Sequence, residues 1–309
     1  MSRLGVLLMT YGSPADDLHD LADYLAAVRG GRAPDAELVT EFRRRYELIG
    51  GSPLIPITRA QAAALEQRLG DGSRVEVGMR FSEPSVEAGL RCLAEDGCDR
   101  VIGIIMSPQY SELLMNGYRR TLDAARAEIG PAAPAVELAP AWYRNRHFVA
   151  AVAERIREGL AHLPAGAPVL LTAHSLPRRV ADAEPAYLDQ LRETAVAVAA
   201  AAGLADDRWH FCWQSAGHEP GEWMKPDFAD LVPELRAASH TAILVAPIQF
   251  LADHLEILYD VDIGAREQAE TADMAFARIE SLNVMPEFIE ALAEIAIDGT
   301  RSAAAATAG

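Results

Sequence analysis

Residues 7–14 of this chain are LLMTYGSP, and residues 170–177 are LLTAHSLP. Each stretch is an apolar run that ends in a ring side chain, Tyr11 or His174, followed by a small residue and a proline. Apolar runs that alternate with helical segments are typical of strands buried on both faces of a parallel sheet. The repeat therefore predicts two similar halves, each with its own parallel sheet.

A second repeat supports the same division, because IMSPQY at residues 105–110 resembles VAPIQF at residues 245–250. Short apolar runs alternate with longer amphipathic segments along the chain, which predicts a doubly wound α/β fold. The predicted strands are Gly5–Thr10, Val75–Phe81, Val101–Ser107, Val136–Ala139, Pro168–Ala173, Trp209–Trp213 and Ala242–Ile248. The predicted helices are Leu18–Arg29, Ala36–Ile49, Arg59–Leu69, Ser85–Glu95, Tyr118–Ile129, Arg146–His162, Pro185–Ala202, Asp227–Ala237, Asp253–Asp262 and Ala272–Ile297.

The domain boundary is predicted near residues 133–142. An N-terminal half at residues 1–137 is followed by a C-terminal half at 138–277. A helix at about 278–300 is expected to pack back on the first half. Residues 301–309, which are mostly alanine, are expected to form a flexible tail.

The composition excludes several classes of function. The 309 residues carry a formal net charge of −17, which disfavours nucleic acid and anionic lipid as partners. Lys225 is the one lysine and lies outside any Walker A sequence, and neither a G-x-G-x-x-G nor a G-x-S-x-G motif follows a strand. Signal-peptide and membrane-spanning patterns are absent from the sequence, so a cytoplasmic location is expected.

The three cysteines are too few and too far apart for a zinc site or a four-cysteine cluster. No C-x-x-C pair is present. Cys92, Cys98 and Cys212 are predicted to be buried thiols of a protein in a reducing cytosol.

Ligands of open α/β sheets bind outside the carboxyl ends of the strands. That rule places Tyr11 and His174 at one cleft, where they would face each other across a flat ligand. A histidine at such a strand end has two interpretations: a core histidine with both nitrogens satisfied, or a metal ligand or general base.

Three carboxylates follow the most apolar strand. In an α-helix, Asp253, Glu256 and Asp260 would share one face because they are spaced i, i+3 and i+7. Asp253 and Glu256 also fit an N-terminal capping box, whereas Asp260 lies too far along the helix to cap it. The alternative is a row of carboxylates that carries protons away or guides a divalent metal ion.

Arginines cluster after the first strand, in VRGGRAP at 28–34 and FRRRY at 42–46, and GGSPL follows at 50–54. Such a run usually forms a solvated helix face. Its position beside the predicted cleft indicates the alternative of carboxylate recognition by guanidinium groups.

The sequence resembles the ferrochelatases, which insert iron into a tetrapyrrole. The resemblance spans residues 5–292 and is most specific in AHSLP at 173–177, CWQS at 212–215 and PIQFLADHLEILYD at 247–260. It implies two Rossmann-like, chelatase-type domains with four-stranded parallel sheets. The short, Arg-rich region after the first strand is similar to the coproporphyrin branch, whose substrate has four carboxylates. Relatives that use protoporphyrin tend to carry a long apolar lip there.

The resemblance also implies roles for individual residues. His174 and Glu256 match the catalytic pair of the family, Tyr11 matches the tyrosine opposite the catalytic histidine, and Asp260 continues the acidic row. These four residues are the expected metal contacts. The positions expected to hold propionates are Arg29, Arg45, Tyr46, Ser52 and Tyr118.

The expected reaction is insertion of Fe²⁺ into coproporphyrin III with release of two protons, in heme biosynthesis. His174 would accept pyrrole protons or hold the iron, Glu256 would pass protons along Asp260 to solvent, and Tyr11 would coordinate or orient the metal. Iron and porphyrin are expected as substrates, with no tightly bound cofactor and no iron–sulfur cluster. The protein is expected to be a monomer with no membrane span, in transient contact with neighbouring heme-pathway enzymes.

Several alternatives remain open at this stage. The chain could use protoporphyrin IX, or it could be a non-catalytic carrier in which Tyr11 or His174 is an axial haem ligand. A chelatase for cobalt or nickel on sirohydrochlorin would have a similar fold, but such proteins usually have histidine-rich metal sites. A two-domain solute-binding protein fits poorly because no export signal is seen.

Overall fold

Parallel strands form one four-stranded sheet near the N-terminus of the chain. The computed structural model describes residues 3–216 and 221–307, and side chains as far as residue 299. The strand order is β2-β1-β3-β4, and β1 pairs with β2 and β3 on its two sides. The strands are β1 (Leu4–Thr10), β2 (Ser73–Met79), β3 (Arg100–Ile105) and β4 (Ala135–Leu138).

A second parallel sheet repeats this arrangement. Its order is β6-β5-β7-β8, so β5 takes the central position that β1 takes in the first sheet. The strands are β5 (Val169–His174), β6 (Trp209–Gln214), β7 (Ala242–Pro247) and β8 (Ala275–Arg278). The register aligns His174 with Gln214 of β6 and Leu171 with Ala246 of β7. The predicted fold class, two doubly wound domains with four-stranded parallel sheets, is confirmed.

Helices connect the strands. The α-helices are α1 (Leu21–Val28), α2 (Ala36–Ile49), α3 (Leu54–Leu69), α4 (Val86–Glu95), α5 (Glu112–Ile129), α6 (Arg146–Leu160), α7 (Arg178–Ala183), α8 (Pro185–Ala202), α9 (Phe228–Ala237), α10 (Arg266–Thr271) and α11 (Pro286–Thr307). A π-helix, Glu256–Ala265, precedes α10. Within the described part of the chain, none of the helices is both long enough and apolar enough to cross a membrane.

The chain forms two units, each built on one sheet. The first comprises Met1–Met106, Leu114–Pro140 and Phe288–Gly309, and the second comprises Ser107–Leu113 and Ala141–Glu287.

The strands are buried because their side chains are apolar on both faces. Val6, Leu7, Leu8 and Met9 of β1 have no exposed surface, and all six residues of β7 are buried. Close packing of α4 on β2 depends on Gly89, where a Cβ atom would lie 2.4 Å from the carbonyl oxygen of Val77. Burial on both faces explains why the continuous apolar runs predict the parallel strands correctly.

The predicted helix over Ala272–Ile297, and with it the start of the C-terminal helix at about 278, is wrong. Residues Ala275–Arg278 form the edge strand β8, and the helix begins at Pro286. Ile243 of β7 pairs with Phe276 of β8. Hydrogen bonding to the edge of β7 therefore outweighs the helical preference of the alanine-rich residues that form β8.

The flexible tail predicted for residues 301–309 stays a prediction. The backbone of α11 continues as helix to Thr307, and residues 308–309 lie outside the described residues.

Not all of the cysteines are buried. Cys98 and Cys212 are buried as predicted, but Cys92 on α4 is exposed. Its position on the outer face of an amphipathic helix explains the error, because Val86, Leu90 and Leu93 of that helix face the core.

Candidate active site

The two ring side chains of the sequence repeat occupy equivalent places in the two units. Tyr11 directly follows β1, and His174 is the last residue of β5. In each sheet the central strand borders the point where the strand order reverses, which is where doubly wound sheets bind ligands at their carboxyl ends. The topology therefore supports a ligand-binding role for both residues over a purely structural one.

The hydrogen bonds of His174 fix its orientation. Nδ1 lies 2.7 Å from the carbonyl oxygen of Ser175, so Nδ1 carries the proton that is donated to that oxygen. The backbone N–H of His174 donates to Oε1 of Gln249 at 2.9 Å, and Nε2 of Gln249 donates to the hydroxyl of Tyr187 at 2.5 Å. In the neutral imidazole the lone pair is therefore on Nε2, the form required of a proton acceptor or metal ligand.

Glu256 lies between two imidazoles. Its Oε1 is 3.8 Å from Nε2 of His174, and its Oε2 is 3.7 Å from Nε2 of His254. The second nitrogen of His254, Nδ1, lies 2.9 Å from the carbonyl oxygen of Ala252, and its ring packs on Phe250 with the centroids 4.7 Å apart. Both nitrogens of His254 thus face oxygen acceptors, and this environment favours the doubly protonated ring.

The pKa values of Glu256 and His254 shift in opposite directions. Burial raises the pKa of the Glu256 carboxyl, but the charge of His174 and the contact and charge of His254 outweigh burial and hold it at about 2. Burial lowers the pKa of His254, but the contact and charge of Glu256 raise it above the usual 6.5. Glu256 therefore stays ionised, and a carboxylate beside His174 stabilises a proton that arrives on Nε2.

The replacement Glu256→Gln is expected to lower the pKa of His254, because the largest favourable contact and charge on the ring are removed while its burial remains. The pKa would be measured from the ring resonances in an NMR pH titration. Charged His254 stabilises the wild-type fold at acidic pH, and this contribution is lost as the pH rises through the raised value.

His19 is an internal control in the same titration, because its raised pKa depends on Asp17, in the other unit. Its resonances should titrate as in the wild type. An unchanged His254 pKa in the Glu256→Gln protein would contradict the assignment of the carboxylate as the partner of that ring.

Residues from Glu256 onward form a π-helix instead of the predicted α-helix over Asp253–Asp262. Such helices are rare and frequently mark functional sites. Glu256 and Asp260 are four residues apart, slightly less than one π-helical turn, so they share a face. The predicted continuation of the acidic row from Glu256 to Asp260 therefore fits the backbone, and its role in proton transfer stays a prediction.

The predicted capping box of Asp253 with Glu256 is wrong. The Asp253 carboxylate accepts hydrogen bonds from Oγ of Ser281 at 2.7 Å and Nδ2 of Asn283 at 3.0 Å, and it lies 3.3 Å from Nη2 of Arg278. The helix has no side-chain cap. Asp253 thus connects the start of the acidic segment to the end of β8 and the loop that follows it. It is not part of an exposed carboxylate row.

The described residues contain no group of three His, Cys, Asp or Glu side chains that could hold a metal ion. The expected metal contacts of His174, Glu256, Tyr11 and Asp260 stay predictions.

The predicted carboxylate-binding residues belong to the first unit. Arg29 follows the last turn of α1, and its Nη1 is buried without a hydrogen-bond partner among the described residues. Arg45 on α2 is already engaged, because its Nε lies 2.8 Å from Oε1 of Glu41. The hydrogen bonds of Arg44 and Arg45 lower the pKa of Glu41 to about 2, so that carboxylate stays ionised.

The remaining predicted contacts are hydroxyl groups. Tyr46 and Tyr118 are each only 4% exposed, and Oγ of Ser52 accepts a hydrogen bond from the backbone N–H of Leu54 at 3.4 Å. Burial raises the pKa of Tyr118, so its phenol stays protonated as a donor. In contrast, Tyr11 is 45% exposed and contacts the ring of Phe81 edge-to-face, with the centroids 4.8 Å apart.

Two residues that the sequence analysis did not assign contribute to the second unit's site. His254 was overlooked because in a regular helix it would lie far around the axis from Glu256, whereas the observed helix begins only at Leu255. Gln249 positions the backbone of His174. The sequence signal for Gln249 is a repeated motif after β3 and β7, in which a proline is followed by a glutamine and an aromatic residue.

Comparison with known proteins identifies the family of this chain. A family model described as Ferrochelatase matches residues 3–299. The chain is 36% identical to the ferrochelatase of Deinococcus radiodurans, with 94% of each chain covered. It is 35% identical to the coproporphyrin III ferrochelatase of Geobacillus kaustophilus, with 95% of each covered. For the coproporphyrin III ferrochelatase of Bacillus subtilis, the identity is 33% over 96% of this chain and 97% of the relative.

Solved structures with the same fold are more distant in sequence. SirB from Bacillus subtilis with Fe³⁺ superimposes with a TM-score of 0.57 at 10% identity, over 96% of this chain and 95% of SirB. CbiX, a terminal enzyme of siroheme biosynthesis in denitrifying bacteria, superimposes with a TM-score of 0.51 at 14% identity, over 95% of this chain and 97% of CbiX.

Two doubly wound units, one of which has an imidazole at the end of its central strand with a carboxylate 3.8 Å away, are the arrangement of a chelatase. The chain belongs to the ferrochelatase family, whose members insert iron into a porphyrin in heme biosynthesis. The resemblance predicted from the sequence is confirmed.

Proposed function

We propose that this protein inserts Fe²⁺ into coproporphyrin III to give coproheme. The observation that carries the proposal is the arrangement of His174, whose Nδ1 is held by a carbonyl oxygen and whose Nε2 lies 3.8 Å from the Glu256 carboxylate. The relatives named coproporphyrin III ferrochelatase, at 33–35% identity over almost the whole chain, support the choice of substrate.

The reaction balances as one Fe²⁺ exchanged for two pyrrole protons. Two porphyrin N–H bonds break and both electron pairs bind the metal, so the products are coproheme and two protons. An enzyme that catalyses this reaction is classed as a lyase. Nε2 of His174 accepts a proton, and ionised Glu256 stabilises the resulting imidazolium. The proton then leaves through Glu256 and Asp260, which share a face of the π-helix. Tyr11 orients the metal.

The arginines of the first unit support a substrate with many carboxylates. Coproporphyrin has four propionates, whereas protoporphyrin has two. Arg29 keeps a buried guanidinium nitrogen without a partner among the described residues, and a bound carboxylate would satisfy it. A guanidinium binds carboxylate through two parallel hydrogen bonds, so this contact adds both affinity and orientation.

The function is tested by mixing the protein anaerobically with ferrous iron and metal-free porphyrin and following the loss of the free-base absorption bands. Faster metallation of coproporphyrin than of protoporphyrin, relative to reactions without protein, supports the proposal. Faster metallation of protoporphyrin overturns the choice of substrate. Binding of porphyrin without acceleration for either would indicate a carrier.

The replacement Arg29→Met is expected to raise KM for coproporphyrin by about tenfold or more with little change in kcat. A charge-assisted hydrogen bond to an acid arm far from the reacting nitrogens stabilises the bound substrate and the transition state equally. Steady-state rates at varied porphyrin concentration measure both constants. Arg91→Met is the matched control, since Arg91 is an exposed arginine of α4 that pairs with Glu87. Equal KM values for the two variants would remove Arg29 from the binding site.

A further inference from the structure

Arg80 is a partly buried cation at the carboxyl end of the first sheet. It directly follows β2, and its backbone N–H donates to the carbonyl oxygen of Thr10 at 2.9 Å. Its guanidinium carbon lies 4.6 Å from the ring centroid of Phe81 and 5.4 Å from that of Tyr118. Among the described residues, no carboxylate forms an ion pair with it.

The fold leaves a defined space for this guanidinium. At Gly117 of α5, a Cβ atom would lie 1.9 Å from Nη2 of Arg80 and 2.0 Å from its Cζ. Any side chain at position 117 would therefore displace the guanidinium. Backbone on one side and aromatic rings on others hold Arg80 in a fixed position, which lowers the entropy lost when a ligand binds it.

Arg80 lacks the carboxylate partners that two other partly buried arginines have. Arg74 of β2 bonds to both Glu66 and Asp96, and Arg278 bonds to two aspartates. Contacts with ring faces compensate an unpaired cation only in part, because they satisfy none of its N–H donors. A carboxylate would satisfy two of these donors at once.

The surroundings of Arg80 connect it to the expected substrate. The next residue, Phe81, contacts the ring of Tyr11 and donates its backbone N–H to the carbonyl oxygen of Tyr11 at 3.0 Å. Tyr118, whose ring Arg80 contacts, is one of the residues already expected to bind a propionate. Two arginines are expected to bind propionates, and one of them, Arg45, already pairs with Glu41. The expected binding residues therefore supply fewer cations than the four acid arms of coproporphyrin would need.

We propose that Arg80 binds one carboxylate arm of the tetrapyrrole and thereby favours substrates with more than two acid groups. The proposal rests on the proposed function, because it takes coproporphyrin as the ligand. Gly117 is the residue that makes room for this contact.

The test measures binding of metal-free coproporphyrin, without iron, by fluorescence titration. Arg80→Met is expected to raise Kd by about tenfold to hundredfold, and Arg80→Lys by less, because the charge is kept but the planar fork is lost. Gly117→Ala is expected to raise Kd although Arg80 is still present. Arg91→Met should bind as the wild type does.

The tetramethyl ester of coproporphyrin, dissolved in detergent, separates a carboxylate contact from a change in the shape of the site. The proposal expects Arg80→Met to bind the ester as well as the wild type does. Equal losses for acid and ester, or an unchanged Kd for the acid, overturn it. A wild-type protein that neither binds nor metallates coproporphyrin would instead refute the proposed function.

Discussion

His174→Ala is expected to lower kcat/KM for iron insertion by about 100-fold to 10,000-fold, the usual contribution of a positioned acid or base. The lone pair on Nε2 is lost, and no second imidazole replaces it in the described structure. His254 pairs through Nε2 with Glu256, and its raised pKa makes it a poor proton acceptor near neutral pH. Binding of coproporphyrin should persist, because the arginines expected to hold its acid arms belong to the first unit.

The measurement is the initial rate of loss of the free-base absorption bands under anaerobic conditions. His162→Ala is the control, because His162 is exposed just beyond α6 and takes no part in the site. Imidazole added to the buffer should restore part of the activity of His174→Ala by occupying the vacated space, and it should leave His162→Ala unaffected. Normal turnover by His174→Ala would disprove the mechanism centred on this residue.

The central strands and the residues at their ends could be predicted from the sequence more reliably than the edge strands of the sheets. Val6 to Met9 and the residues of β7 are apolar without interruption, and burial on both faces requires such a pattern. The rule that ligands bind at strand ends then predicted the location of His174. In contrast, β8 depends on pairing with β7, and an Ala-rich stretch carries no local sign of that partner.

The details of the site depended on contacts that sequence spacing does not show. Asp253 appeared to cap a helix, yet its carboxylate is bound by Ser281, Asn283 and Arg278, which lie at least 25 residues further along the chain. The spacing of Glu256 and Asp260 was informative because both an α-helix and a π-helix keep residues four apart on nearly the same face. The sequence also does not show which arginines have a carboxylate partner: Glu41 pairs with Arg45, whereas no described carboxylate pairs with Arg80.

A stability effect of about 3–5 kcal/mol is expected for Arg278→Met, which removes one partner of a buried ion pair. The Arg278 side chain is 12% exposed and binds the Asp262 carboxylate through two contacts, Nε–Oδ1 at 2.7 Å and Nη2–Oδ2 at 2.9 Å. It also donates to the carbonyl oxygen of Ile279 at 2.8 Å and to Oγ of Ser281 at 3.2 Å. Without it, two carboxylates would remain partly buried near each other with no cation.

These contacts also hold the segment that carries the expected site residue Glu256. Asp253 precedes the π-helix and Asp262 lies within it, so Arg278 binds both sides of the segment that carries His254 and Glu256. Arg278→Met should therefore lower activity at temperatures where the protein is still folded. Arg278→Lys should recover part of the stability through its charge, but less of the activity, because an ammonium group cannot reproduce the paired contacts with Asp262.

Urea unfolding followed by tryptophan fluorescence measures the effect in the relevant unit, because Trp142, Trp209, Trp213 and Trp223 all belong to the second unit. Arg144→Met is the matched control: Arg144 also pairs with a carboxylate, that of Glu193, but its side chain is 73% exposed, and exposed pairs contribute little to stability. Equal unfolding midpoints for Arg278→Met and Arg144→Met would show that the ion pair neither stabilises the fold nor fixes the π-helix. A lowered midpoint with unchanged kcat for Arg278→Met would confine its role to stability.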